Sequence, residues 1–156
     1  MISLGIDPGT RRIGYGIVRR DREDPNPRFI AAGILKIAST DDPGALVETK
    51  KGMDALFRKY RPDTVAVERL YFAKNQKTAI AVAQARGVIL LSARESRTGI
   101  REYTPNEVKL GISGYGFADK QAMLKMVRLI LAKPGLKLID DASDALALAI
   151  MGSSAY

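Results

Sequence analysis

The chain has 156 residues, of which 46% are hydrophobic, so it has the size of one domain and enough apolar material for a core without stabilising cross-links. Its 25 Lys and Arg against 17 Asp and Glu give a net charge of +8, which favours a polyanionic partner such as nucleic acid, although a basic balance also serves solubility. Cysteine and histidine do not occur, which excludes disulfides and thiolate sites. Any metal must then be held by oxygen ligands, and this favours hard divalent cations such as Mg²⁺ or Mn²⁺.

The start of the chain predicts a cytoplasmic protein without a membrane partner. Met1 leads directly into an apolar strand, without the basic leader and apolar core of a signal peptide. No segment is long and apolar enough to span a bilayer. Because we find no repeat, no low-complexity tract and no linker, we predict that residues 1–156 form a single domain.

The first quarter of the chain predicts three strands. Residues 4–7 form a short apolar strand, which the Pro-Gly pair that follows ends in a tight turn. Residues 13–19 and 29–37 are two further strands, and the loop at 21–27 between them carries two prolines and three acids. This order predicts an antiparallel meander.

The rest of the chain alternates between helices and strands. The Asp-Pro-Gly at 42–44 breaks the strand pattern, after which apolar residues recur at helical spacing from Leu46 to Tyr60, until Pro62 ends the helix. The further predicted elements are a strand at 63–68, a helix from 75 to about 97, a strand at 100–103, a short helix after 105, a mobile glycine loop at 111–116, and helices at 120–131 and 140–150.

Two predicted strands carry an acid at their carboxyl ends. In the first and fourth strands, two large apolar residues alternate with a small residue and then with Asp7 or Glu68 on the opposite face. If the strands are parallel neighbours joined by a right-handed crossover, Asp7 and Glu68 lie side by side at the sheet edge where α/β sites are built. Asp7 alone would indicate only a turn, because Asp often precedes Pro-Gly in turns.

The last helix brings further carboxylates. Helical spacing places Asp141 and Asp144 on one face, and the alternative pairs Asp140 with Asp144. Acids in a first helical turn stabilise the helix without any function, but this explains poorly why Asp144 stands in a run of Ala, Leu and Ile on a helix expected to be largely buried. Divalent cations neutralise such like charges. Four acids can hold two ions about 3.5 to 4 Å apart, the arrangement used in phosphodiester hydrolysis.

Short strings distributed along the chain form a recognisable set: Gly-Ile-Asp-Pro-Gly-Thr at 5–10, Val-Glu at 67–68 with Ala-Lys-Asn at 73–75, Gln-Ala-Arg-Gly at 84–87, and Asp-Ala-Ser-Asp-Ala-Leu-Ala at 141–147. Together they resemble the motifs of bacterial Holliday-junction resolvases of the RuvC type. The resemblance runs nearly end to end. It implies an α/β, RNase H-like fold, with a five-stranded mixed sheet of three antiparallel strands and then parallel ones, flanked by helices.

The resemblance also implies an activity. It is that of a structure-specific DNA endonuclease in recombination and repair, which cuts two opposed strands of a four-way junction as a homodimer. Two Mg²⁺ or Mn²⁺ ions per active site would be held by Asp7, Glu68, Asp141 and Asp144, with Asp140 leaving the helix register open by one residue. A junction-binding and branch-migration complex of the RuvA/RuvB type is implied as a partner.

By the same resemblance, Lys109 and Lys120 correspond to lysines important for cleavage, although as isolated residues they would be ordinary surface lysines. Tyr71, with Phe72 beside it, corresponds to an aromatic residue that stacks on an unpaired base. For Phe72 a place in the core is an equal alternative. The full set of expected DNA-binding residues is Tyr71, Phe72, Lys74, Asn75, Arg86, Lys109 and Lys120.

The long helix carries a row of small residues, Ala79, Ala83 and Gly87, at i, i+4 spacing. Such a row lets another helix approach closely. Packing against the protein's own sheet is one explanation, and a helix of a two-fold partner is the other. We predict the dimer interface at this row.

Two other functions compete with junction resolution. One is an RNase H-like nuclease that acts on single-stranded or structured RNA. The other is an actin-like nucleotide-binding fragment, because Asp7-x-Gly9-Thr10 also resembles the first phosphate motif of those ATPases. That class needs a second domain to close over the nucleotide, and 156 residues leave no room for one. A module that binds branched DNA without cutting it is disfavoured by the four acids.

Overall fold

A computed structural model of the chain describes residues 1–24, 26–69 and 76–154. Within these ranges the chain forms five strands and five helices. In chain order they are β1 Ile2–Asp7, β2 Arg12–Arg19, β3 Arg28–Lys36, α1 Asp42–Tyr60, β4 Thr64–Glu68, α2 Gln76–Glu95, β5 Gly99–Tyr103, α3 Pro105–Ser113, α4 Lys120–Ile130 and α5 Asp140–Ser153.

All five strands form one mixed sheet in the order β3-β2-β1-β4-β5. The pairs β1/β2 and β2/β3 are antiparallel, and the pairs β1/β4 and β4/β5 are parallel. The predicted mixed sheet, with three antiparallel strands and then parallel ones, is therefore confirmed. In the β1/β4 ladder Ile6 pairs with Val67, so Asp7 and Glu68 follow as the next residues on neighbouring strands.

The alternation along β1 and β4 sorts their side chains to two opposite faces of the sheet. Leu4 and Ile6 of β1, with Val65 and Val67 of β4, are buried in a cluster that α1 and α2 cover. Ala66, on the other face of β4, belongs to a second cluster formed mainly by α3, α4 and α5. The predicted division between large apolar residues on one face and small residues and acids on the other is correct.

Helix α5 lies directly on the backbone of the central strands. A Cβ atom at Gly5 of β1 would overlap the carbonyl oxygen of Ala145 and the amide nitrogen of Ala149, and one at Gly14 of β2 would overlap the carbonyl oxygen of Asp141. The helix contributes fully buried alanines to this contact. Because nothing larger than hydrogen separates helix and sheet at these points, the first turn of α5 reaches the end of β1.

Helix α1 begins one turn earlier than predicted. The helix was expected from Leu46 but starts at Asp42, because the side chain of Asp41 accepts a hydrogen bond of 2.7 Å from the backbone N–H of Gly44. Pro43 is compatible with this start, because the backbone N–H groups of the first helical turn have no acceptor within the helix. The missing N–H of proline therefore removes no helical hydrogen bond.

Helix α3 extends into the predicted glycine loop. Residues 111–113 are helical, and the helix ends at Gly114, whose φ of 73° is left-handed. Ile112 is buried and Gly111 faces the side chain of Met151, so contacts with α5 favour the longer helix. None of the helices in the described ranges combines the length and the apolar character needed to cross a membrane.

The close contact between Gly5 and α5 makes this glycine a strong test of the fold. Gly5→Ala is expected to lower the free energy of unfolding by about 3 kcal/mol or more, because strand and helix must move apart. Gly135→Ala is the matched control, since a Cβ there meets nothing within 4 Å. Thermal melts of the two variants should therefore differ clearly. Equal melting temperatures would show that α5 does not rest on the strand backbone.

Candidate active site

Four acids from three elements converge at one end of the sheet. Asp7 ends β1, Glu68 ends β4, and Asp141 and Asp144 lie near the start of α5. The pKa of Asp7 is raised from 3.8 to about 7, first by burial and then by the charges of Asp144, Glu68 and Asp141 in that order. A carboxyl group senses neighbouring charges this strongly only at short range. The four side chains therefore form one electrostatic cluster.

Glu68 and Asp144 are perturbed in the same direction. The pKa of Glu68 is raised by burial and then by Asp144. The pKa of Asp144 is also raised, first by loss of solvation, while Lys120 acts in the opposite sense. Helix α5 is largely buried from Ala145 onward, as predicted, but Asp144 itself is exposed. Its carboxyl group therefore lies at the surface of the protein, where the surrounding charges act on it.

The two adjacent acids at the start of α5 have different partners. Asp141 Oδ2 accepts a hydrogen bond from Arg12 Nε at 3.0 Å, so its carboxyl group faces the start of β2. Asp140 Oδ2 accepts from Lys120 Nζ at 3.2 Å, and both of these side chains are 73% exposed. Asp141 raises the pKa of both Asp7 and Asp144, and Asp140 raises that of Asp144. The electrostatic link to Asp7 at the end of β1 favours the register with Asp141 in the cluster.

Lys109 and Lys120 both line a cavity of about 420 Å³ between α3, α4 and α5. Glu68 and Asp144 line the same cavity, whose remaining walls are largely apolar. Lys120 lowers the pKa of both Asp7 and Asp144, and Lys109 lowers that of Asp144. Both lysines predicted from the resemblance therefore lie within electrostatic reach of the acids.

Arg86, predicted to contact DNA, has its guanidinium directed into the protein. Its Nε donates to the backbone carbonyl of Glu68 at 3.1 Å, and a terminal nitrogen donates to Glu102 Oε2 at 2.6 Å. The side chain is only 16% exposed. Arg86 thus ties α2 to the end of β4, at the residue whose side chain joins the acidic cluster.

The structure describes only some of the other residues predicted to bind DNA or to form the dimer interface. Tyr71, Phe72, Lys74 and Asn75 lie outside the described residues. On α2, Ala79 and Ala83 are half-buried, and Gly87 is exposed with open space where a Cβ would be. The core side of this helix is instead formed by Ala85, Ile89 and Ala93. The row predicted for a dimer contact therefore does not form the core side of the helix.

Two residues at the site were not predicted from the sequence. Arg12 pairs with Asp141, and Glu102 pairs with Arg86. The hairpin offered a signal for Arg12, because an antiparallel β2 begins beside the end of β1, where Asp7 pairs with Gly14. Glu102 gave no such signal, since its role depends on α2 lying across β5.

The donor set fits a hard divalent cation, since all four acids offer carboxylate oxygens. Among the described residues, no three acidic side chains converge closely enough to hold a metal ion as they stand. The acids nevertheless interact, because the pKa of Asp7 is raised in part by the other three. Arg12 supplies some of the missing positive charge through its ion pair with Asp141.

The mixed sheet, with acids at the ends of β1 and β4 and at the start of α5, defines an RNase H-like nuclease fold. Residues 3–152 match the family model described as "Crossover junction endodeoxyribonuclease RuvC". The chain belongs to the RuvC family, as the sequence resemblance predicted.

Individual relatives agree over nearly the whole length. The RuvC proteins of Natranaerobius thermophilus and Chloroflexus aurantiacus are 42% and 45% identical to the chain. These alignments cover 100% and 96% of this chain, and 96% and 91% of the relatives. The structure of Thermus thermophilus RuvC in complex with Holliday junction substrate superposes with a TM-score of 0.89 at 28% identity, covering 97% of this chain and 92% of that one.

The raised pKa of Asp7 predicts a pH-dependent effect on the stability of the metal-free protein. A pKa of about 7 in the folded chain lies above the ordinary value of 3.8, so folding favours the protonated form. The resulting stability is complete below about pH 4 and is lost as the pH rises through 7. In EDTA at pH 8, Asp7→Asn should therefore be more stable than the wild type by about 1–3 kcal/mol, and near pH 4 the two should converge.

Glu23→Gln is the control for this measurement, because Glu23 is exposed in the β2–β3 loop, far along the chain from the acids. It should follow the wild type at both pH values in thermal melts. Destabilisation by Asp7→Asn at pH 8 would contradict the repulsion that we infer among the four acids.

Proposed function

We propose that this protein is a crossover junction endodeoxyribonuclease that resolves four-way DNA junctions by metal-dependent phosphodiester hydrolysis. The observation that carries the proposal is the convergence of Asp7, Glu68, Asp141 and Asp144 at one end of an RNase H-like sheet. The Thermus thermophilus relative, whose structure contains Holliday junction substrate, supports the choice of DNA. The net charge of +8 is suited to such a polyanion.

The four acids would hold Mg²⁺ or Mn²⁺, two ions per active site. When bound, these ions would supply an activated water and positive charge beside the scissile phosphate. Asp7 and Glu68 stand at the ends of adjacent strands, so the sheet holds their backbones rigidly. Arg86 also donates a hydrogen bond to the backbone carbonyl of Glu68. Arg86 is therefore a positioning residue for the Glu68 carboxylate.

Lys109 and Lys120 would act on a phosphate that enters the cavity that they line. A lysine placed there stabilises negative charge as it develops on the phosphate oxygens. Lys120 is held meanwhile by the exposed Asp140, and an ion pair with so much solvent contact is weak enough to exchange for a phosphate.

The remaining contacts to DNA are proposed from the family resemblance. Tyr71 and Phe72 would stack on unpaired bases, and Lys74 and Asn75 would contact the same strand region. A homodimer, a RuvA/RuvB-type branch-migration complex and action in the cytoplasm complete the proposal. The RNA-cleaving alternative differs in substrate, so end-labelled four-way junction, linear duplex, single-stranded DNA and structured RNA should be compared directly.

The decisive test of the proposal is amide substitution of the four acids. Asp7→Asn, Glu68→Gln, Asp141→Asn and Asp144→Asn should each reduce junction cleavage in Mg²⁺ by at least about 10³-fold, because each removes a metal ligand. Junction affinity in gel-shift titrations should be unchanged or higher, since a negative charge near the phosphates is lost.

Asp140→Asn is the matched control, one residue from the cluster on the same helix. It should cut nearly as well as the wild type. Inactivity of Asp140→Asn together with an active Asp141→Asn would shift the helix register by one residue. If all variants of the four acids cut at the wild-type rate, the proposed reaction would be wrong.

For the dimer we propose the exposed side of α2. Ile80 and Leu91 are exposed apolar residues on this helix, and with Ala83 and Gly87 they make a strip at helical spacing. Small residues in the middle of the strip allow two helices to approach closely. A two-fold contact here would fix two active sites relative to each other, as paired cutting requires.

Ala83→Arg places bulk and charge in the middle of this strip. We expect a folded monomer in sedimentation experiments, with weaker junction binding and loss of paired cutting. Ala55→Arg on α1 is the control, because Ala55 is an exposed helical alanine outside the strip. A dimeric Ala83→Arg protein that still cuts both strands would place the interface elsewhere.

A further inference from the structure

The connection between α3 and α4 presents two aromatic rings to solvent. Tyr115 is 62% exposed and Phe117 is 80% exposed. Their ring centroids are 5.8 Å apart with an interplanar angle of 57°. We refer to residues 114–118, which carry both rings, as the aromatic loop. Two neighbouring rings that are this exposed contribute little to the hydrophobic core, so core packing does not explain their presence here.

The backbone of the aromatic loop is held by its own hydrogen bonds. Gly114 ends α3 and donates to the carbonyl of Leu110 at 2.8 Å. The N–H of Tyr115 donates to Ser113 Oγ at 3.2 Å, and the N–H of Ala118 donates to the carbonyl of Tyr115 at 3.1 Å. Ala118 is buried and anchors the loop in the core. A fixed backbone therefore holds the two rings outward.

The aromatic loop also borders the cavity of the candidate active site. Lys109 precedes the loop in α3, Lys120 follows it in α4, and both lysines line the cavity together with Ala118. Leu110, the neighbour of Lys109, is exposed and adds apolar surface. The loop thus combines two rings with flanking positive charge, next to the acids that would act on a phosphate.

This combination favours nucleic acid over a protein as the ligand. Phosphates meet the lysines, and bases or sugars offer flat surfaces that aromatic rings contact without regard to sequence. A stable protein interface needs roughly 800 Å² on each partner, which two rings and one leucine do not provide. The surface is also continuous with the site where the DNA strand would be cut.

We propose that Tyr115 and Phe117 stack on nucleotides of the strand that passes the active site, and so hold the scissile phosphate over the four acids. This inference rests on the proposed function, because it assumes that DNA occupies the cavity. It adds a second aromatic contact, on the connection between α3 and α4, to the one expected from Tyr71.

The chain contains no tryptophan, so Phe117→Trp introduces a single fluorescent reporter. Titration with a four-way junction, with Ca²⁺ replacing Mg²⁺ to prevent cutting, should quench the emission as the indole stacks on a base. Val47→Trp is the control, because Val47 is exposed on α1, whose buried face packs on the other side of the sheet. Its emission should change little in the same titration.

Leucine substitutions test the contribution of the rings themselves. Tyr115→Leu and Phe117→Leu keep an apolar side chain but cannot stack, and each should lower the single-turnover cleavage rate or the junction affinity by about 5- to 50-fold. Melting temperatures should match the wild type, since both side chains are exposed. Leu129→Ala, which removes an exposed apolar residue near the far end of α4, should leave both quantities unchanged.

The outcomes separate this inference from the proposed function. If the wild type cuts junctions but Phe117→Trp binds them without quenching and the leucine variants cut normally, the inference is wrong and the aromatic loop is left for a protein partner. If quenching occurs but the wild type never cuts in Mg²⁺ or Mn²⁺, the proposed hydrolysis fails and the DNA contact stands. A protein that does not bind junctions overturns both.

Discussion

The contact between α5 and the bare backbone of β1 and β2 determines where the candidate active site lies. Gly5 and Gly14 leave no side chain between strand and helix, and their neighbours on the helix are the backbones of Ala145 and Asp141. At this separation the start of α5 reaches the carboxyl end of β1. Larger residues in the strands would lift the helix and carry Asp141 and Asp144 away from Asp7. The acidic cluster thus depends on residues that have no chemistry of their own.

The acids gathered by this contact repel one another, and the fold compensates for part of that repulsion. Asp7 is largely buried and has a pKa of about 7, so near neutral pH the metal-free site carries less charge than four free carboxylates would. Arg12 and Lys120 supply positive charge at the two adjacent acids of α5. The Lys120–Asp140 pair is highly exposed and the Arg12–Asp141 pair is partly exposed, which keeps both weak and replaceable. A cation of higher charge could therefore replace the protons and the weak ion pairs of this site.

The alternation of residues in β1 and β4 predicted which faces are buried, and it placed Asp7 and Glu68 side by side on the condition that the two strands are parallel neighbours. The mixed five-stranded sheet itself followed from the family resemblance. Local patterns failed where a distant contact decides the outcome. The length of α3 depends on Ile112 and on Met151 of α5, which lie far apart in sequence. The start of α1, in contrast, carried a readable signal, because Asp41 before Asp-Pro-Gly is a common helix cap. The partner of a surface-type residue such as Arg86 cannot be predicted from its own segment.

Arg86 shows what such a residue contributes once its partners are known. Its guanidinium joins α2 to the carbonyl of Glu68 and to Glu102 on the neighbouring strand, while it is nearly buried. Glu102 neutralises the guanidinium, so the arginine remains inside and directed at the end of β4. The same helix carries the exposed apolar strip on its other side. Arg86 therefore links α2 to the backbone of Glu68 in addition to the apolar packing of this helix against β4. The helix proposed for assembly and the strand that carries one of the four acids are therefore mechanically connected.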